Sequence, residues 1–388
     1  MANTLTNLIP DIYAALDVVS RELVGFIPAV ARDSSADRLA LNQTLRIPVS
    51  PANAAGGNIT PAMSIPSAAD QAIANTTLAI SKSRYFPFSW TGEEQRSVDA
   101  GPGFLTLKQG QIAQAIRAAV NEIETDVANA IYVKASRAYG TAAATPFGTA
   151  GDYSDAAQTR KILDDNGAPA SDRALVLNTA AGASIRAKQA QAQMTNDTSL
   201  LRQGVLLDIN GFSIRESAQV PTVAAGAMAS ATSTSAAFTV GQTVIPLATA
   251  GTGVVAAGDI VTFANDANKY VVASVSFAGT NPASGDSITL AAPGLRVAQG
   301  VATRAITVIA TAVRNCAFTR NAVLLATRLP AIPTEGDLAT DRMTITDPHS
   351  GIALEFAIYP GYRMAVYHVS IAWGVAVIKP EHVAILLG

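Results

Sequence analysis

Histidine and cysteine, the residues most often recruited to move protons, hold metals or attack carbonyls, are scarce in this 388-residue chain, which has three histidines and one cysteine. His349, His368 and His382 stand 19 and 14 residues apart, a spacing that supplies a zinc site poorly. The Ser/His/Asp sets that could be drawn from Asp347, His349 and His368 carry no motif support. Cys316 lies in an apolar stretch with no histidine nearby and reads as a buried, inert thiol. The adjacent carboxylates Glu93-Glu94 and Asp164-Asp165 could in principle form an acid–base pair, but neighbours on one segment point apart and serve more often as solvated or capping residues. The glycine run Gly251 to Gly258 lacks a lysine and precedes a strand, so it does not read as a phosphate-cradling loop. No catalytic residue, cofactor site or metal site is expected, and an enzyme is the last of the function classes to consider.

Composition narrows the classes further. Hydrophobic residues make up 49% of the chain and charged ones 14%, too apolar for a disordered polymer and little more than half the usual charge of a soluble monomer. Much of the surface is therefore expected to be covered by copies of the same chain. A net charge of -2 offers no basic excess for tight binding to nucleic acid or to an anionic membrane. No run of about 18 to 20 apolar residues suggests a membrane span, and the N-terminus, with Asp11, Asp17, Arg21 and Glu22 inside its apolar part, does not read as a signal peptide.

The elements follow from periodicity. Pro10 to Phe26 reads as an amphipathic helix, with Ile12, Leu16, Val19 and Leu23 on one stripe; it packs on its own domain or acts as an arm on another subunit. Leu45 to Val49 and Thr76 to Phe86 read as strands around about 26 residues rich in Ala, Pro, Asn, Ser and Gly, where Asp70 is the only charge. That pattern suggests a long open hairpin whose tip finds order against a partner, with plain disorder as the alternative. The strongest helix signal runs from Lys108 to Ser136, with Ile112, Ile116, Val120, Ile123, Val127 and Ile131 spaced by three or four. At 1.5 Å per residue it would be about 43 Å long, a spine lying across a sheet. Helices near Asp155 to Asp165 and Ala183 to Gln193 alternate with strands at Ala174 to Leu177, Val205 to Leu207 and Phe212 to Ile214, an α+β or α/β core.

Between Ser217 and Gly258 there is no charged residue, which suggests a tether. Short β-rich runs at Phe238 to Val240, Thr243 to Leu247, Asp259 to Phe263, Tyr270 to Val275, Ser287 to Leu290 and Ala305 to Ile309 then suggest an inserted antiparallel barrel or sandwich at about 223 to 304. The core resumes with Asn321 to Pro330, helical or extended, then an extended Met343 to Thr346, a strand at Ile352 to Ile358, and a final strand pair at Tyr367 to Val377 and Val383 to Leu387.

This order of parts resembles the major capsid proteins of tailed bacteriophages, and among them the P22-like coat proteins with an insertion domain in an HK97-like fold. Local sequence carries the resemblance: Thr44 to Val49 (TLRIPV), Tyr85 to Glu94 (YFPFSWTGEE), the passage Arg202 to Gly204, Asn210 to Phe212 and Ser217 to Pro221, Phe318 to Arg328, and Trp373 to Val375 followed by Lys379 to Glu381. The resemblance implies an N-terminal arm at 1–38, an E-loop region at 39–95, a P domain with the spine helix at 96–154, an A domain at 155–222 and 305–345, the inserted β domain at 223–304, and a C-terminal segment of the central P and A domains at 346–388.

It further implies a coat protein that self-assembles into hexamers and pentamers of an icosahedral head, is assembled in the host bacterial cytoplasm, and resides in the virion capsid. Its partners would be further copies of itself, a separate scaffolding protein, a portal protein and packaged double-stranded DNA as non-specific cargo, with no membrane. Subunit-interface candidates are Ile12, Leu16, Val19, Leu23, Arg46, Pro48, Asp70, Lys82, Arg84 and Tyr85. Asp11, Asp17 and Glu22 are candidates for docking a basic scaffold helix. No covalent cross-link is expected, because Lys82 lies at the base of the loop. The alternatives are another virion component, such as a tail or decoration protein, and a secreted β-rich surface protein.

Overall fold

The computed structural model describes residues 24–49, 74–98, 104–149, 152–189, 206, 208–249, 251–277, 279, 281–346 and 351–388. Among them the chain forms four α-helices and twenty strands, a mixed α+β architecture. One six-stranded sheet contains β1 (Ala31–Leu39), β4 (Lys82–Thr91), β16 (Val323–Pro330), β17 (Asp341–Thr346), β18 (Ala353–Gly361) and β19 (Met364–Val377). At its centre, β19 pairs antiparallel with β4, β18 and β16 along its length. The strands β2 (Thr44–Val49) and β3 (Ala74–Ala79) form a separate two-stranded antiparallel hairpin.

A twelve-stranded sheet holds the rest. Its path includes β5 (Arg137–Tyr139), β6 (Arg173–Leu177), β7 (Ser213–Glu216), β12 (Lys269–Ser276), β15 (Ala312–Thr319) and β20 (Val383–Leu387). The helices are α1 (Gly92–Val98), α2 (Phe104–Lys134), α3 (Ser154–Asp165) and α4 (Thr179–Gln189). The expected stripe is the buried face of α2: Ile112, Ile123, Val127 and Ile131 are fully buried, and Ile116 and Val120 nearly so. This helix, about 46 Å long at 1.5 Å per residue, spans one apolar core shared with both sheets, where Trp373, Ile371, Phe318 and Val271 meet it.

Several expectations are corrected. The helix over Pro10–Phe26 lies outside the described residues except for Val24, Gly25 and Phe26, which are not helical; the Gly25 and Phe26 amides are bound by a side chain of α2 instead. The strand over Thr76–Phe86 is two strands. At the break, the Ile80 amide donates to the Gln43 carbonyl in the turn between β1 and β2, whereas the Ser81 amide donates to the Trp373 carbonyl in the sheet. The helix expected near Ala183 to Gln193 starts at Thr179, where Asn178 Oδ1 accepts the Ala181 amide as an N-cap. Of the two alternatives for Asn321 to Pro330, helical or extended, the extended one holds: a short 3-10 turn leads into a strand.

The tether reading of the charge-free stretch also fails. Within it β8 (Thr222–Val223) pairs with β15, β9 (Thr232–Ser233) pairs with β10 (Val244–Thr249), and Met228 and Ala231 are buried. The strands that follow are β11 (Ile260–Phe263), β12, β13 (Ser287–Leu290) and β14 (Ile306–Val308). They enclose their own apolar cluster around Tyr270, Leu247 and Ile288, yet β12 also hydrogen-bonds to β5, so the unit is continuous with the core sheet. Phe238 to Val240 makes one isolated bridge, Phe238 to Gln299, rather than a strand. The last two strands do not pair with each other: β19 lies in one sheet and β20 in the other.

The hairpin is seated on the six-stranded sheet by a close backbone approach. A Cβ added at Gly374 of β19 would lie 2.1 Å from the Ala79 carbonyl oxygen and 3.0 Å from Leu78 Cδ2. Behind that contact, Leu78 and Ile80 pack with Ala326 and Ala372. Gly374→Ala is expected to destabilise the protein by about 2 kcal/mol or more, measured as a lowered urea midpoint, because the obstruction is backbone and cannot swing aside.

Candidate assembly interface

Three carboxylates on α2 organise the surfaces from which the hairpin and the N-terminal segment leave the core. Glu122 and Asp126 stand one helical turn apart on one face. Lys82 and Arg84, two apart on β4, point to the same side of their strand, and the two pairs meet. Lys82 Nζ lies 3.0 Å from Glu122 Oε1 and 2.9 Å from Asp126 Oδ1, and Arg84 Nε lies 3.3 Å from Glu122. Trp373 Nε1 donates to the other Asp126 oxygen at 2.9 Å. Burial opposes the charge on Lys82, but Asp126 and Glu122 outweigh it and its pKa sits above the ordinary lysine value.

Glu124 projects to the other side and is 1% exposed. Its Oε1 accepts the Gly25 and Phe26 amides at 2.6 Å each, and Oε2 accepts the Ile27 amide at 2.9 Å. The Ser217 hydroxyl binds it too. Burial pushes its pKa above the usual carboxylate value, and these bonds pull it back only in part. Gly25 is required here, since a Cβ would lie 2.6 Å from the Glu216 carbonyl oxygen. The first described turn of the chain is thereby fastened to the middle of the spine.

On the sheet surface, Tyr85 stacks on the His368 ring at a centroid distance of 4.9 Å, and Tyr359 packs on the same ring at 4.8 Å. Tyr359 donates to Asp337 Oδ2 at 2.8 Å. Burial lowers the His368 pKa, and Asp337 partly raises it. At the start of α1, Thr91 and Glu94 form a reciprocal capping box: the Glu94 amide donates to Thr91 Oγ1 at 3.2 Å and the Thr91 amide donates to Glu94 Oε2 at 2.9 Å. Asp164 and Asp165 are likewise structural, paired with Arg173 and Arg137. Cys316 is fully buried and its pKa is pushed up to about 12 by desolvation. Among the described residues no group of three or more His, Cys, Asp or Glu could hold a metal ion, and no helix is long and apolar enough to cross a membrane.

Of the residues singled out from sequence, Lys82 and Arg84 come together against α2 at the hairpin base, whereas Tyr85 lies on the other face of β4, stacked on His368. Arg46 and Pro48 are exposed on β2, away from that cluster. Ile12, Leu16, Val19, Leu23, Asp70, Asp11, Asp17 and Glu22 lie outside the described residues. Sequence reasoning missed Glu122, Glu124 and Asp126, and the contacts that His368 and Trp373 make. For Glu122 and Asp126 a signal existed, because two acids at helical spacing match two bases at strand spacing; for Glu124 there was none, since its partners are backbone amides.

Acidification should loosen the aromatic stack. The folded pKa of His368 is depressed below the unfolded value of about 6.5, so its stabilising contribution is present above that pH and lost as pH falls through the folded value. Urea midpoints at pH 7.5 and pH 5 should differ more in the parent protein than in His368→Phe, which keeps the stack; an equal difference would remove His368 as the cause.

No family model matches the sequence, and no curated protein matches it. Among solved structures the chain is similar to one described as the capsid of the cyanophage P-SCSP1u, with a TM-score of 0.49 and 10% identity over 92% of this chain and 86% of that one. It is also similar to the bacteriophage PhiM1 mature capsid, with a TM-score of 0.47 and 13% identity over 94% and 86%. A third, from Mycobacterium phage Che8, gives a TM-score of 0.42 and 14% identity over 96% and 90%.

Proposed function

We propose that this chain is the major capsid protein of a tailed bacteriophage, with an HK97-like fold and a structural rather than catalytic role. The observation that carries the reading is the β2–β3 hairpin. It belongs to neither large sheet, is held to the core mainly at its base through Leu78, Ile80 and Gly374, and exposes Thr44, Arg46, Pro48, Asn75 and Thr77. A two-stranded hairpin is marginal alone in water. A projecting hairpin gains order by lying on a neighbour, and the low charge content suits a surface largely covered in an assembly.

In this reading the hairpin is the stem of the E-loop region at 39–95, α2 is the spine of the P domain at 96–154, and 155–222 with 305–345 form the A domain. The β unit at 223–304 is an insertion, and 346–388 completes the central domains. Residues 1–38 are the arm, with Asp11, Asp17 and Glu22 facing a separate scaffolding protein. Copies assemble in the host cytoplasm into hexamers and pentamers around double-stranded DNA, with a portal protein at one vertex. Arg46, Pro48, Asp70 and Tyr85 contact neighbouring copies, as do Ile12, Leu16, Val19 and Leu23.

Lys82 and Arg84 serve the interface indirectly, since their charges are already engaged by Glu122 and Asp126. Sedimentation velocity with negative-stain microscopy tests the proposal on the chain expressed alone and beside candidate scaffolding proteins. Closed shells, or aberrant spirals alone and shells with a partner, are expected; a monomer under every condition would refute it.

A further inference from the structure

Two parallel strands and one turn bring three arginines to a single hollow of about 170 Å³ beside Pro28, close to where Glu124 fastens the chain. Arg173 precedes Ala174, which pairs with Ser213 of β7, and Arg215 follows two residues along that strand. Arg320 opens the 3-10 turn after β15, and its amide donates to the Asp172 carbonyl at 2.9 Å. Arg173 is already committed: Nε and Nη2 donate to the Pro169 and Ala168 carbonyls at 2.7 Å, and Nη1 lies 2.7 Å from Asp164.

Arg215 and Arg320 are different. Neither side chain has a hydrogen-bond or ion-pair partner among the described residues, and Arg215 Nε is shielded from solvent with no acceptor. The buried Arg215 donor left unmade is costly, and the lining holds Arg215 and the exposed Arg320 with a single carboxylate residue, Asp172. Two planar donor forks in one hollow, with Ser213 also in its lining, provide more donors than a carboxylate's two oxygens need, and suit a tetrahedral oxyanion.

We propose that this hollow binds a phosphate group, free or within a phosphodiester, through Arg215 and Arg320. The site stands on this geometry alone; only the phosphodiester source rests on the capsid reading, in which DNA is cargo. Thermal unfolding of the full chain in inorganic phosphate, against sodium chloride of equal ionic strength, reads occupancy because a ligand of the folded state raises the transition.

Phosphate should raise the transition of the parent protein. Arg215→Gln and Arg320→Gln should each raise the half-saturating phosphate concentration about tenfold or more, while Arg96→Gln, an exposed arginine on α1, should leave it unchanged. General salting effects of phosphate would shift all four proteins alike, and that result, or no shift at all, overturns the proposal. Competition by a short oligodeoxythymidylate would assign the site to phosphodiesters; phosphate binding without competition would assign it to free phosphate. Neither depends on whether shells form.

Discussion

Glu122, Glu124 and Asp126 lie within one and a half turns of a single helix, and each fastens a different part of the chain to it. Glu124 holds the first described turn through three backbone amides. Glu122 and Asp126 hold the root of the hairpin through Lys82 and Arg84, and Asp126 also holds the centre of β19 through Trp373. These attachments differ in kind. The Lys82 pair is partly exposed, and such pairs contribute on the order of 1 kcal/mol or less. The Glu124 cluster is buried, where leaving amides without an acceptor is far more expensive.

That difference divides rigid from adjustable parts. The apolar stripe of α2 fixes it in a core shared by both sheets, so the spine is a fixed reference for everything attached to it. The hairpin meets that reference through a small apolar contact, one close glycine approach and a half-exposed ion cluster. A projection held in this way keeps its root in place and leaves its length free to meet whatever lies beside it. The buried Cys316 and the stacked His368 are accounted for by packing.

Much of this was legible in sequence where the signal was local. The isoleucine and valine stripe identified the spine because a helix repeats every three to four residues, and the paired acids at 93 and 94 read as solvated or capping residues, of which Glu94 caps α1. Strands β11, β12 and β13 announced themselves by β-branched residues between turn formers. What stayed hidden depended on distant partners. The strand β1, with the polar sequence ARDSSADRL, becomes a strand by pairing with β16 nearly 300 residues away, where Arg328 binds Asp33 and Arg38 reaches Glu355. The charge-free entry to the β unit around Tyr270 looked like a tether because small residues carry no periodic signal, although several of them are buried between strands. Glu124 looked like one more charge on a helix, since nothing local reveals that its partners are amides about 100 residues earlier.

Hydrogen–deuterium exchange at the Gly25, Phe26 and Ile27 amides, in the parent chain and in Glu124→Gln, tests most directly whether α2 fastens the first described turn through Glu124. A glutamine keeps the size but offers one acceptor oxygen where the carboxylate offered two. Slow exchange at these amides is expected in the parent and a selective loss of protection in the variant, with the stripe of α2 still protected. Fast exchange in the parent, or equal protection in both proteins, would contradict that fastening.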